Sequence, residues 1–71
     1  MKIGSTVRFS ETFLRDIDAR STPVGISLCY CVGTVTELDG IGDLAVATVN
    51  WTIEGARIPR YNATRDLVIV D

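Results

Sequence analysis

Apolar and polar positions alternate most regularly between Cys29 and Trp51, in the run CYCVGTVTELDGIGDLAVATVNW. Two alternating segments flank Asp39-Gly40-Ile41-Gly42, where paired glycines mark a turn, so the run predicts a β-hairpin. Setting Glu37 opposite Asp43 places Cys29 against Trp51, Cys31 against Val49, Gly33 against Ala47 and Val35 against Ala45. That face is apolar or glycine throughout. The other face pairs Tyr30 with Asn50, Val32 with Thr48, Thr34 with Val46 and Thr36 with Leu44. A slip of one residue would mix the two faces, which favours this register.

Upstream, Thr6-Val7-Arg8-Phe9 alternates as well and predicts a short strand. Ser10 suits a helix N-cap, with Phe13, Leu14 and Ile17 at helical spacing behind it for one turn or two. Asp18 to Gly25 is polar and ends in Thr22-Pro23-Val24-Gly25, which reads as loop. A connection this long in a small domain usually carries function. Beyond Trp51, Gly55 marks a turn and residues 56–60 predict a short strand, with Pro59 suggesting an edge. Asn62-Ala63-Thr64-Arg65 predicts a helical turn capped by Asn62, and Leu67 to Val70 closes the chain as a strand. The core expected from this pattern is Val7, Phe9, Cys31, Val35, Ala47, Val49, Leu67 and Ile69, with Gly33 where strands approach closely.

Seventy-one residues make a single domain, 1–71, with barely enough chain to enclose a core. The sequence opens without a basic-then-apolar leader, and no apolar run approaches the roughly 20 residues of a membrane helix. Two cysteines do not form a disulfide framework, so the expectation is a reducing, cytoplasmic setting with no membrane contact. Apolar residues make up 46% of the chain, which is high at this length and points to a protein partner or a homodimer. Nine acidic residues against seven basic ones give a net charge of −2, which excludes a strong field for nucleic-acid phosphates. A local patch of Arg57, Arg60, Tyr61 and Arg65 keeps nucleic-acid binding open as the alternative, since Tyr61 between Arg60 and Asn62 suits base stacking with charge. The plainer reading has those arginines solvated and Tyr61 sealing the core with its hydroxyl wet.

Chemistry-bearing residues are few. Cys29 and Cys31, two apart on one expected strand, point the same way and are badly placed for a mutual disulfide. Two thiols without histidine do not complete a tetrahedral zinc site, so both read as small buried apolar groups. The lack of histidine also removes the usual general base and any partner for a nucleophilic serine or cysteine. Asp16 and Asp18 are neighbours in sequence and are expected to face water. Asn50-Trp51-Thr52 and Asn62-Ala63-Thr64 match the glycosylation pattern, which matters only for a secreted chain. No catalytic residue, metal site or cofactor is expected, and the chain reads as no enzyme.

Five short strands, a long first loop carrying a short helical turn, a central hairpin and a helical turn before the last strand resemble an SH3-like small barrel. The expected fold is therefore all-β, a five-stranded SH3-like barrel. More narrowly, KIGSTVRFSETFLRDI, GTVTELDGIGDLAVATVNW and IPRYNATRDLVIV are similar to a family of short uncharacterised phage and bacterial proteins. Those share a start like GDxVRFSxxFLRS, a GTVTxL…LAxVxW centre and an LPxxVNxxNL close. The chain departs from that pattern at Gly4-Ser5-Thr6, at the Cys-Tyr-Cys run and between Asn62 and Leu67. The resemblance implies a fold and a mobile-element context, with an inhibitor of host machinery as one role of that kind, and no activity to carry over. One SH3-like enzyme, the plasmid-borne trimethoprim-resistant dihydrofolate reductase, builds its pore from a VQIY run. Arg57-Ile58-Pro59-Arg60-Tyr61 lacks that run.

The leading expectation is a non-enzymatic protein-binding module. Its surface would be the hairpin's outer face, Tyr30, Val32, Leu44 and Val46, with Phe13 from the long loop. Those residues sit among threonines where a monomer would more usually carry charge. The competing reading has Ile17, Val24, Ile26 or Leu28 of the first loop cover that face from within.

Overall fold

The computed structural model describes residues 1–52 and 58–70. Alternation at the start of the chain becomes β1 (Thr6–Phe9), which buries Val7 and Phe9 and leaves Thr6 and Arg8 on the opposite face. Ser10 then accepts a hydrogen bond from the Phe13 N–H at 3.1 Å and starts α1 (Glu11–Asp16), whose Leu14 is buried. A 3-10 turn at Ala19–Ser21 follows, with Asp18 in the left-handed region before it.

The structure departs most from the sequence pattern at the next element. Thr22-Pro23-Val24-Gly25, which reads as loop, is the start of a helix, α2 (Pro23–Tyr30). The Thr22 hydroxyl accepts from the Gly25 N–H at 3.0 Å, and Pro23 fills the first turn, where a missing N–H costs nothing. Cys29 and Tyr30 therefore lie on a helix and Cys31 caps it; none of them belongs to a strand.

The hairpin is β2 (Gly33–Asp39) and β3 (Val46–Trp51), joined through a 3-10 turn at Gly42–Leu44. Its register differs from expectation. Gly33 lies opposite Trp51, Val35 opposite Val49, and Glu37 opposite Thr48 instead of Asp43. The ladder shifts between Val35 and Glu37, so Thr36 is an extra residue in β2. This bulge turns Glu37 outward and Leu38 toward the face of Ala47. Gly40 and Gly42 both take positive φ, which lets the connection fold back on itself.

β4 (Tyr61–Ala63), a 3-10 turn at Thr64–Asp66 and β5 (Leu67–Ile69) complete the chain. The strand predicted over 56–60 is replaced by this slightly later one; residues 56 and 57 lie outside the described residues. Asn62 does not cap the turn. It is buried in β4, and its amide donates to the carbonyls of Pro59 and Arg60 at 2.9 and 3.2 Å.

The strands form one antiparallel sheet in the order β4-β3-β2-β1-β5. This overturns the all-β barrel. β4 and β5 are the two edges, connected through a 3-10 turn but not paired with each other among the described residues, so the sheet stays open. The architecture is mixed α/β, with α1 and α2 set against one sheet face. Closure would need one edge strand to register against the other, and these two are only three residues long each.

The core lies between that sheet face and the helices. Val7, Phe9, Leu14, Ala19, Cys31, Val35, Ala47, Val49 and Leu67 form one buried cluster, with Phe13, Leu28, Cys29, Trp51 and Ile58 packed around it. Phe9 is stacked between Phe13 and Trp51, at centroid distances of 4.8 and 4.5 Å. Gly33 is the close crossing the sequence predicted: a Cβ there would sit 2.5 Å from Val49 Cγ1 and 2.9 Å from the Asn50 carbonyl oxygen. Ile69, expected in the core, is instead about half exposed at the sheet edge.

Candidate functional site

Helix α2 reads Pro-Val-Gly-Ile-Ser-Leu-Cys-Tyr and contains no charged side chain. Gly25 turns inward and is buried against the Ala19–Ser21 turn, while Leu28 and Cys29 pack on the core. The opposite side is just as apolar. Val24, Ile26 and Tyr30 are 59%, 45% and 81% exposed. Ile26 and Tyr30 stand one turn apart and, with Cys29 and Arg20, line a groove of about 230 Å³. A helix that is apolar on every side normally sits fully enclosed. Here one side meets solvent, with Arg20 as the charged group at its rim.

The sequence-predicted binding residues do not form one surface. Tyr30 belongs to the α2 groove. Val32 is half-buried just before β2, and its carbonyl accepts from both the Thr52 N–H and hydroxyl at 2.9 and 2.8 Å. Leu44 is exposed on the 3-10 turn at the hairpin tip, and Val46 opens β3 between Asp39 and Ala63. Phe13 is half-buried and committed to Phe9. The expected outer face needs a hairpin reaching back to Cys29, and α2 takes those residues away.

The alternative residues are partly brought together. Arg60 joins Thr36, Thr48, Val49 and Asn50 around a second groove of about 230 Å³ on the sheet face away from the helices. Tyr61 lies opposite Thr48 and is exposed on the same face. The segment leading into β4 is held by the Pro59 carbonyl, which accepts from Trp51 Nε1 at 3.0 Å and from the Asn62 amide. Arg65 is exposed on the 3-10 turn after β4, and Arg57 lies outside the described residues.

Both cysteines are free thiols. Cys29 Sγ donates to the Gly25 carbonyl at 3.5 Å and Cys31 Sγ to the Leu28 carbonyl at 3.4 Å, so neither has a base beside it. Burial pushes the Cys31 thiol above its ordinary value, its backbone hydrogen bond acts the other way, and Cys29 adds to the rise. A raised value opposes thiolate chemistry at neutral pH. Among the described residues no group of three or more Cys, Asp or Glu side chains is placed to hold a metal ion, and no helix is long and apolar enough to cross a membrane.

Val24, Ile26 and Arg20 are the residues that sequence reasoning did not assign to a surface site. Their signal was the Thr22-Pro23 pair, an N-cap followed by proline in the first turn, which made the charge-free stretch behind it a helix. Comparison with protein-family models, with curated proteins and with solved structures returns no match to this chain.

Proposed function

We propose that the chain is a small non-enzymatic binding module that engages a protein partner through the solvent-facing side of α2. One observation carries this reading: α2 has no charged residue, yet it turns Val24, Ile26 and Tyr30 to water beside Arg20. Exposed aromatic and aliphatic side chains with an arginine at the margin have the composition of an interface centre. The apolar groove fits an apolar segment carrying an acidic group opposite Arg20. A reducing, cytoplasmic compartment suits the two free thiols. The resemblance to short phage and bacterial proteins makes host machinery the first class of partner to test.

A second reading rests on the other sheet face, where Arg60 and Tyr61 stand beside Thr36, Thr48 and Asn50 and offer a stack and a cation to a single nucleic-acid strand. One experiment separates the two. Affinity capture from host extract is run with the wild type, with Ile26→Asp/Tyr30→Asp and with Arg60→Glu/Tyr61→Ala, each confirmed folded by circular dichroism. A defined protein retained by the wild type and the Arg60/Tyr61 variant but lost from the α2 variant supports the proposal. A nucleic acid lost only from the Arg60/Tyr61 variant, with binding that weakens as salt rises, overturns it in favour of the second reading.

A further inference from the structure

Apart from the α2 groove, the molecule has an edge strand, β5, that is unpaired on its outer side among the described residues. β5 ends the sheet and pairs only with β1 among the described residues, with Val7 opposite Ile69, Arg8 opposite Val68 and Phe9 opposite Leu67. The Ser10 N–H donates to the Asp66 carbonyl at 2.8 Å, and the Val70 N–H donates to the Thr6 carbonyl at 2.9 Å. Asp66, Val68 and Val70 thus direct their backbone polar groups at β1. In an antiparallel ladder the residues between them direct theirs the other way. The N–H and C=O of Ile69 and the C=O of Leu67 therefore point off the sheet. The Leu67 N–H is already taken by the Thr64 carbonyl in the preceding turn.

The side chains make the same edge incomplete. Ile69 faces the same way as Val7, directly across the ladder, yet Val7 is 0% exposed and Ile69 47%. The apolar layer of the core thus runs out to β5 and stops uncovered. Exposed edges are ordinarily protected by lysine, proline, a bulge or an inward charge. Leu67-Val68-Ile69-Val70 has no lysine, proline or charge, and the β1–β5 ladder shows no register shift.

We infer that β5 pairs antiparallel with β5 of a second copy, about a two-fold axis at Val68. In that register each Ile69 N–H donates to the Leu67 carbonyl of the other copy. Each Ile69 side chain gains Leu67 of the other copy as its neighbour on the core face, the cover it lacks within one chain. The edge is self-complementary in both hydrogen bonds and side chains, so the contact closes as a dimer. Pairing β5 with β4 of another copy is head-to-tail and leaves one β4 and one β5 edge free, the same two edges that paired, so further copies add on instead of stopping at two.

The test is sedimentation of the full chain over a wide concentration range, with Ile69→Lys beside the wild type. A reversible monomer–dimer equilibrium weakened by roughly tenfold or more in Ile69→Lys is expected. Ile69 is half exposed, so that variant should keep its fold by circular dichroism. Val68→Cys in a Cys29→Ala background gives an independent readout. Directly opposed residues at a position without ladder hydrogen bonds have Cα atoms about 4.5 Å apart, within disulfide reach, so mild oxidation should yield a covalent dimer. A wild type that stays monomeric, or one that forms ever larger species, overturns the inference. So does a dimer that survives Ile69→Lys and dissolves in Ile26→Asp/Tyr30→Asp, a result that would place self-association on α2.

Discussion

Gly25→Ala tests the packing of the helical layer by the sign of its effect. In the middle of an otherwise solvated helix, alanine is more favourable than glycine by about 1 kcal/mol. Gly25 is buried, and a Cβ built on it would meet the backbone of Ala19, lying 2.6 Å from its carbonyl carbon and 2.7 Å from its Cα. Neither is the flexible end of a side chain. To admit the methyl group, α2 and the Ala19–Ser21 turn must separate by about 1 Å, which forfeits a good part of the dispersion contact between them. Overpacking of that kind costs about 1–3 kcal/mol, and a backbone obstacle puts this site at the upper end. After the gain in helix propensity the net loss is about 2 kcal/mol, a fall of roughly 8–16 °C in thermal midpoint at this chain length. Urea denaturation followed by circular dichroism should show a lower midpoint with an unchanged slope. A variant more stable than the wild type by about 1 kcal/mol would instead place Gly25 against open space.

Val49→Ala removes buried methyl groups opposite Val35 and should cost about 1–3 kcal/mol in urea denaturation; an unchanged midpoint would mean that β3 turns its other face inward. Thr22→Ala deletes the hydroxyl that accepts from the Gly25 N–H and should cost about 1 kcal/mol, which Thr22→Ser should largely restore. Because burial raises the Cys31 thiol above its ordinary value of 9.0, the native state keeps this proton longer than the unfolded chain does. Its contribution to stability is therefore complete below about pH 9 and is lost as pH rises through the native value. Denaturation midpoints measured from pH 7 upward should fall less steeply in Cys31→Ala than in the wild type, and parallel profiles would contradict this.

The parts of the fold that rest on alternation are legible in the chain. Val7, Phe9, Val35, Ala47, Val49 and Leu67 are buried as their two-residue period requires. The hairpin register differs from the expected one by four residues at Val35, an even number, so the inner face is the same in both. The bulge at Thr36 is not readable, because its cause is three-dimensional: without it Glu37 would point into the core. Residues 26–32 mislead for a different reason. Ile26, Tyr30 and Val32 favour strands, but that preference is weak and yields to the stronger local signal of Thr22 and Pro23 at a helix start. The same ambiguity hides the candidate site. Tyr30 is recognisable as a surface aromatic, but its neighbours, Ile26 one turn back and Arg20 across the groove, become visible only once α2 exists. Ile69 fails as a core residue because alternation gives the face of a side chain and not its distance from the edge.

The α2 surface exists only if residues 23–30 form a helix laid on the sheet with its outer side free. Backbone assignment of the full chain by nuclear magnetic resonance tests this directly. The structure predicts helical chemical shifts and sequential amide–amide Overhauser effects from Pro23 to Tyr30, together with a cross-strand Overhauser effect between the α-protons of Gly33 and Trp51. Extended shifts from Cys29 onward, with Cys29 opposite Trp51, would contradict it and remove the α2 surface on which the proposed function stands.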